Sequence, residues 1–343
     1  MNQLQNQNWT PLHDQLHHTL RQRHLLPQNQ SILIAVSGGQ DSLCLTKLLL
    51  DLQPKWGWYL GIAHCDHKWR FDSEANANYV KQLATGWELP FYLEIADQVY
   101  KSEAEARKWR YQALGKIALE HDYQYLVTGH TASDRAETLL YNLIRGSGAD
   151  GLQALTWQRS LLEDASLLLV RPLLEISRTQ TGNFCQEQKI GIWEDSTNQD
   201  LRYARNRIRL ELLPLLRQFN PQAEMTLAQT AEILMAEVEY LENETDRLLS
   251  RATEIDHLQF SQFEVASIQC INRLVLCEAP LALQRRVMRR LLQEYLPVHP
   301  NFNHVEKLTA LINAPNRSQT DPFPGGAIAK VQHPWILLIG KND

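Results

Sequence analysis

The chain has 343 residues, 44% hydrophobic and 21% charged, a composition usual for a globular protein long enough to hold two cores. With 39 Asp and Glu against 34 Lys and Arg the formal net charge is −5, which excludes a globally basic nucleic-acid binder and leaves RNA contact to local patches. Five scattered cysteines (Cys44, Cys65, Cys185, Cys270 and Cys277) form no C-x-x-C pair, which argues against a disulfide scaffold, a structural zinc or an iron–sulfur site.

The start, MNQLQNQNWTPLHDQL, is polar and has no signal-peptide pattern. No apolar run approaches the roughly 20 residues of a membrane helix, so a cytoplasmic protein without a membrane partner is expected. Short apolar runs then alternate with amphipathic segments. Strands are predicted at Ile32–Val36, Tyr59–His64, Phe91–Ile95 and Tyr125–Thr128, and helices at Ser42–Leu52, Ser73–Thr85, Glu103–His121 and Ala136–Ile144. This alternation implies an α/β fold, a Rossmann-like parallel sheet covered by helices on both faces, with ligands at the carboxyl ends of its strands. A turn-like break at Gln218-Phe219-Asn220-Pro221 opens a second, smaller and mainly helical region. There Leu227, Ala231, Leu234, Val238, Leu241, Thr245 and Leu248 keep heptad spacing. Packing of that helix on its own domain is the simpler reading, although the stripe permits a homodimer. Leu281–Tyr295 is another helix, and DPFPGG (Asp321–Gly326) is a turn before a terminal hairpin.

The stretch SILIAVSGGQDSLCL (Ser31–Leu45) is where the chemistry concentrates. Gly38 and Gly39 allow a tight bend, and the following helix offers unpaired N–H groups to an anion, helped by the hydroxyls of Ser37 and Ser42. The Gly-Lys-Ser/Thr ending of a P-loop is missing, and Asp41 stands in the turn instead. A carboxylate beside a phosphate calls for a bridging cation, which suggests Mg²⁺-nucleotide. The plain alternative is a tight turn with Asp41 near a helix start as a cap.

SGGQDS resembles the SGGxDS pyrophosphate loop of the N-type ATP pyrophosphatases, which split ATP between the α and β phosphates while adenylating a substrate. Later blocks are similar to those of the tRNA(Ile)-lysidine synthetases within that superfamily. They are HCDHKWR (His64–Arg70), EAEARKWRYQAL (Glu103–Leu114), TGHTASDRAETLLYNLIRGSG (Thr128–Gly148), RPLLEISR (Arg171–Arg178), EDSTNQDLRYARNRIRLELLPLL (Glu194–Leu216) and ALQRRVMRRLL (Ala282–Leu292). The resemblance covers nearly the whole chain. It implies a PP-loop catalytic domain at residues 1–218 and a tRNA-binding domain at residues 219–343, in the shorter form of the family. The activity it implies is ligation of free L-lysine to the wobble cytidine of tRNA(Ile) with a CAU anticodon. That reaction consumes ATP, passes through an adenylated cytidine and changes the codon read from AUG to AUA. Where the family often shows GHHxxDQ, this chain has Gly129-His130-Thr131 and Asp134-Arg135. The changed residues Thr131, Ser133 and Arg135 bear only on contacts that a second histidine or a second carboxylate would make.

The resemblance assigns Ser37, Gly38, Gly39, Gln40, Asp41 and Ser42 to ATP, with Asp41 serving Mg²⁺ through the phosphates. His130, Asp134 and Glu137 are spaced i, i+4, i+7 and share a helix face if the helix begins early enough. The competing reading makes Asp134 a cap with Glu137 completing a capping-box-like pair. The resemblance favours catalysis, by Asp41, Arg110, His130, Asp134, Glu137 and Arg205. Arg110 would meet phosphate, its plainer fate being a surface ion pair. His130 would donate to the phosphate or leaving group, and Asp134 and Glu137 would draw in the lysine cation. Arg202, Arg205, Arg207 and Arg209, interleaved with Tyr203 and Asn206, form one basic cluster, and Arg285, Arg286, Arg289 and Arg290 form another. Charge runs are usually solvated surface, but two in an acidic chain suggest RNA contacts at Arg202, Arg205, Arg207, Arg285, Arg286 and Arg289. Two other readings stay open. One is another PP-loop adenylating enzyme, although nothing resembles a glutamine-hydrolysing domain and no paired cysteines serve thiolation. The other is a non-catalytic nucleotide- or RNA-binding protein.

Overall fold

Ile32, Leu33 and Ile34 have no solvent exposure, because their strand, β1 (Ser31–Ala35), runs through the middle of a six-stranded sheet. Successive side chains of a strand point to opposite faces, so Ile32 and Ile34 enter one core and Leu33 enters another. The computed structural model that carries this sheet describes residues 9–68, 72–100, 102–161, 166–193, 196–254 and 268–340. Trp69 and Arg70 of the second block, and Glu194 and Asp195 of a later one, lie outside the described residues.

After β1 the chain supplies β2 (Tyr59–Asp66), β3 (Phe91–Ile95), β4 (Tyr125–Thr128), β5 (Gln158–Ser160) and β6 (Leu168–Val170). Their order is β3-β2-β1-β4-β6-β5, and every pair is parallel except β5 against β6. The helices of this part are α1 (Pro11–Gln22), α2 (Gln40–Trp56), α3 (Ser73–Gly86), α4 (Glu103–Glu120), α5 (Ala132–Ile144), the single turn α6 (Ala149–Leu152) and α7 (Arg178–Glu187). Leu16, Leu20, Leu45, Leu48 and Leu49 of α1 and α2 pack on one face of the sheet, and Leu114 and Ile117 of α4 on the other. The expected parallel α/β sheet is therefore present, its four predicted strands displaced by no more than two residues at an end. Helix α5 begins at Ala132 rather than at the expected Ala136, because Thr131 supplies the N-cap.

The chain runs left from β1 to β2 and β3 and then crosses to β4 on the other side, which makes the carboxyl ends of β1 and β4 the switch point of the sheet. The glycine turn leaves one of these ends and Gly129-His130 the other. Downstream, α8 (Ala204–Arg207), a single π-helical turn (Ile208–Leu212) and α9 (Leu213–Phe219) form one bent helical stretch.

The chain divides into two compact units, residues 1–235 and 236–343, and α10 (Ala223–Thr253) carries it from one to the other. The heptad stripe of α10 serves two cores in turn. Leu227 packs against Leu140, Ile208 and Leu213 of the first unit, and Leu248 belongs to the core of the second. That second core lies between helices α11 (Arg273–Cys277), α12 (Leu281–Tyr295) and α13 (Phe302–Thr309) and a three-stranded antiparallel sheet. The sheet is ordered β7 (Ile268–Asn272), β9 (Trp335–Ile339), β8 (Ile328–Gln332), with β8 and β9 forming the expected hairpin. Among the described residues, no helix is long and apolar enough to cross a membrane.

Candidate active site

Gly38 adopts φ +87°, and a β-carbon there would stand 2.4 Å from Asn76 Oδ1, so both backbone angle and space require glycine. The turn's carbonyls are tied inward. Asn76 Nδ2 donates to Ser37 O at 3.0 Å, Trp193 N to Gly38 O at 3.0 Å, and Ser42 Oγ to Gly39 O at 2.9 Å. With Gly39 as the N-cap of α2, the turn presents amides at a helix start, the arrangement that receives a phosphate.

Asp41, in the first turn of α2, is not a lone carboxylate. Arg178, the first residue of α7, donates to its Oδ2 through Nε at 2.9 Å and Nη2 at 2.8 Å, and Thr181 Oγ1 donates to its Oδ1 at 2.5 Å. Burial pushes the Asp41 carboxyl above its ordinary range, and Arg178 opposes that push. The same guanidinium lies 3.6 Å from Asp134 Oδ1 and 4.0 Å from Glu137 Oε1. Its backbone is held from two sides, its N–H by Ser133 Oγ at 3.1 Å and its carbonyl by Gln40 Nε2 at 2.7 Å. Arg178 thus joins the glycine turn to α5, a role that its place at the end of RPLLEISR does not mark. Gly129 makes the approach feasible, since a β-carbon there would lie 2.8 Å from the Asp41 backbone. The donor set fits Mg²⁺-phosphate in kind. Mg²⁺ prefers one or two carboxylates plus phosphate oxygens, and Asp41 and Asp134 flank one cationic position. Among the described residues no group of three or more His, Cys, Asp and Glu could hold an ion unaided.

His130, Asp134 and Glu137 converge, but not by sharing a helix face. His130 precedes α5, in the β4–α5 turn, with its Nδ1 2.8 Å from Thr128 Oγ1. The capping reading is half right. Asp134 Oδ2 accepts from Thr131 N and Thr131 Oγ1, both at 2.8 Å, while its Oδ1 faces the arginines. Glu137 takes no part in the cap, and its two oxygens receive the fork of Arg209 at 2.6 and 2.7 Å. Burial raises the Glu137 carboxyl, with Arg209 opposing and Asp134 reinforcing. Burial acts the same way on Asp134, but Arg178 and the Thr131 hydrogen bonds outweigh it and lower that carboxyl. His130 is held well below the ordinary imidazole range by desolvation, against Asp134 and with Arg171, Arg110 and Arg107, so its ring is neutral.

These three residues line a cleft of about 240 Å³. Arg107, Arg110, Arg205 and Arg209 supply its cationic walls, and His67, Glu103 and Leu155 add to its lining. Arg110 therefore faces the cleft rather than forming a surface ion pair. The first basic cluster splits. Arg205 and Arg209, one turn apart across the start of the π-helical turn, enter the cleft, Arg205 also lying 3.5 Å from Glu103. Arg202 and Arg207 stay at the surface, paired with Asp200 and Glu211. On α12, Arg285 pairs with Glu306, Arg286 with Glu242, and Arg290 with Glu242 and Asp246. Phosphates would therefore compete with acids of the second unit for that stripe, which also carries Arg289. The departures around His130 serve the fold. Thr131 caps α5, Ser133 Oγ donates to Glu224 Oε2 at 2.8 Å, and the buried Arg135 donates to Glu232 Oε2 at 2.6 Å.

A doubly wound sheet with a lysine-free glycine turn at its switch point, opening beside a cleft of carboxylates and arginines, defines an ATP pyrophosphatase of the PP-loop class. Residues 9–216 match the PP-loop domain family. Within that class the chain belongs to the tRNA(Ile)-lysidine synthase family. It is 66% identical over 334 residues to the tRNA(Ile)-lysidine synthase of Nostoc sp., covering 96% of this chain and 97% of that one. It is 48% identical to the Synechocystis sp. enzyme of the same name, covering 96% and 98%. A U34-tRNA thiolase from Methanococcus maripaludis has the same fold, with a TM-score of 0.56 at 14% identity over 66% of this chain and 78% of that one.

Proposed function

We propose that this enzyme ligates free L-lysine to C2 of the wobble cytidine of tRNA(Ile) bearing a CAU anticodon, converting ATP to AMP and pyrophosphate. The observation that carries the reading is the adjacency of two sites. The phosphate-receiving turn Ser37–Ser42 and the acidic pair Asp134 and Glu137 face one guanidinium, Arg178. ATP on the turn would be close to a pocket suited to an ammonium group.

Cytidine O2 is a poor leaving group until it attacks the α-phosphate and becomes an adenylate. Negative charge gathers on phosphate oxygens in that step, and Arg110, with Arg205 nearby, opposes it. The neutral His130 can donate one hydrogen bond without adding charge. Mg²⁺ accompanying ATP would be held by Asp41 through the phosphates and would supply further charge neutralisation. Lysine arrives protonated, since its amine has a pKa near 10.4. The two carboxylates are pushed apart, Asp134 downward and Glu137 upward. Asp134, the lowered carboxylate, therefore binds the ammonium, and Glu137, the raised one, accepts its proton. The freed amine attacks C2, and AMP leaves with the electron pair of the C2–O2 bond. Arg202, Arg205 and Arg207 would contact the RNA, with Arg285, Arg286 and Arg289 as a further contact on the second unit.

The test is incorporation of radiolabelled lysine into the CAU-anticodon tRNA(Ile) transcript with Mg-ATP, beside a tRNA(Met) control. Label in the first alone, with AMP and pyrophosphate formed, is the expected result. Pyrophosphate release that depends on some other small molecule, with no label in RNA, would discard the substrate and keep the ATP site.

A further inference from the structure

Four guanidinium groups gather at one tyrosine beside the cleft. Those of Arg107, Arg110 and Arg159 lie 5.5, 5.5 and 5.3 Å from the centre of the Tyr111 ring. The fourth belongs to buried Arg171 at the end of β6, anchored to Thr156 O at 2.7 Å. Among the described residues, no carboxylate lies within 4.0 Å of any of the four. Burial would raise the Tyr111 phenol, yet Arg107, Arg110 and Arg171 draw it below its ordinary range. Arg107 is itself depressed by burial and by Arg110, Arg205 and Arg159. Elsewhere in the site the arginines have acids (Arg178 has Asp41 and Arg209 has Glu137), so the imbalance is local. Among the described residues, then, these like charges are held together without a carboxylate against them, an arrangement that suits an anion.

The cage has a direction. Arg107 and Arg110 line the cleft, whereas Arg159 is exposed on the edge strand β5. Sheet register separates Arg159 from the nucleotide turn. Arg159 stands opposite Leu169, Leu169 opposite Leu126, and Leu126 opposite Leu33. Three strand spacings, roughly 14 Å, part it from β1, and it is level with the middle of β1 rather than with the turn at its end. ATP phosphates seated on Ser37–Ser42 are at the wrong place to use it.

We infer that the Arg107 and Arg159 side of this cage binds a backbone phosphate of the RNA strand that enters the cleft, with Arg159 as its outer contact and Arg110 left to the α-phosphate. Tyr111 is the positioning residue, holding the guanidinium groups against its ring. The inference rests on the tRNA-ligase reading above and extends its RNA contacts to the β5 edge, where the basic clusters in the sequence do not reach.

The experiment uses the full chain with Arg159→Gln, Arg159→Glu and Tyr111→Leu, and the CAU-anticodon tRNA(Ile) transcript as probe. RNA affinity is measured across a salt series, and KM for ATP is measured alongside. Losing one single-strand phosphate contact lowers the slope of log K against log salt by about 0.7, or about fourfold in affinity at 0.15 M salt. Arg159→Gln is expected to show that loss, Arg159→Glu a larger one and Tyr111→Leu one in the same direction, with KM for ATP unchanged in both Arg159 variants. Wild-type affinity and slope in both Arg159 variants would overturn the inference. So would a raised KM for ATP with intact RNA binding, which would give the cage to the nucleotide. Failure of the unaltered enzyme to bind or modify the transcript would instead remove the ligase reading, and this inference with it.

Discussion

Glu232 holds α10 to the rest of the first unit, and Glu232→Gln tests how that hold is built. Its Oε2 accepts from Arg135 Nη1 at 2.6 Å and Trp157 Nε1 at 2.9 Å, and its Oε1 from Arg23 Nη1 at 2.7 Å. Arg23 keeps a second acid, Glu175, at 2.6 Å. Arg135 is 1% exposed and, among the described residues, has Glu232 as its one carboxylate within 4.0 Å. Removing one partner of a buried ion pair costs about 3–5 kcal/mol. The Glu232 side chain is 29% exposed, and glutamine still offers one acceptor oxygen, so about 2–3 kcal/mol is the expected loss. At about 2–4 °C per kcal/mol for a unit of this size, its melting temperature falls by about 4–12 °C. Burial raises the Glu232 carboxyl, but Arg135, Trp157 and Arg23 more than reverse this, so its folded pKa lies below the ordinary value. Its stabilisation is thus present above the unfolded pKa and lost as pH falls through the folded one. The gap between wild type and variant is full at pH 7 and closes as the pH falls below the ordinary glutamate value of 4.5 and through the lowered folded one. Calorimetry of the full chain across that range is the assay. A gap under about 1 °C at pH 7, or one that keeps its size in acid, would refute the reasoning.

Gly38→Ala forces a side chain into φ +87° and against Asn76. It is expected to cost about 1–3 kcal/mol of stability and to raise KM for ATP; unchanged melting and nucleotide kinetics would show an unconstrained turn. Glu137→Gln removes the proposed proton acceptor, so turnover falls and KM for lysine rises about tenfold or more, the equivalent of about 1.4 kcal/mol, with KM for ATP unaltered. Wild-type lysine kinetics in that variant would withdraw the role. Arg178→Lys keeps the charge but loses the two-pronged contact with Asp41. Turnover at saturating substrates should fall about tenfold, and more in Arg178→Gln; a lysine variant with full turnover would show that the charge alone suffices.

The glycine turn was readable because everything that shapes it is local: two glycines between an apolar strand and an apolar helix. Strands β1 to β4 were readable for the same reason. Strands β5 and β6 span three residues each, too short for a period to register, and α7 has only Thr181, Phe184 and Cys185 buried among polar residues. Helix α1 did carry a signal, Thr10-Pro11 followed by Leu12, Leu16 and Leu20, which the polar look of the start concealed. The charge partners are another matter. Asp41 and Arg178 are 137 residues apart, and Glu137 and Arg209 are 72 apart. Nothing in a run of arginines says which will turn inward to a carboxylate. The π-helical turn at Ile208–Leu212, which begins after Arg207 and contains Arg209, has no mark in composition.

Asp134 shows why the two readings of one spacing were not rivals. A carboxylate has two oxygens. A capping box consumes one, with Thr131 N and Oγ1 both on Oδ2, and that fixes the direction of the other. Oδ1 then points to Arg178 and Arg209 without further support. The cap is therefore the means by which the functional oxygen is aimed, and a threonine at position 131 suffices for it. Spacing alone could not separate the cap from the proposed catalytic role because one side chain serves both, Oδ2 in the cap and Oδ1 in the cleft. The same economy explains Ser133 and Arg135. They alternate with Asp134 on α5 and are turned to Glu224 and Glu232, so the helix start that aims Asp134 into the cleft is bolted from behind by residues of α10. A change at either acid should then reach the chemistry through the aim of Asp134, with no contact to substrate at all.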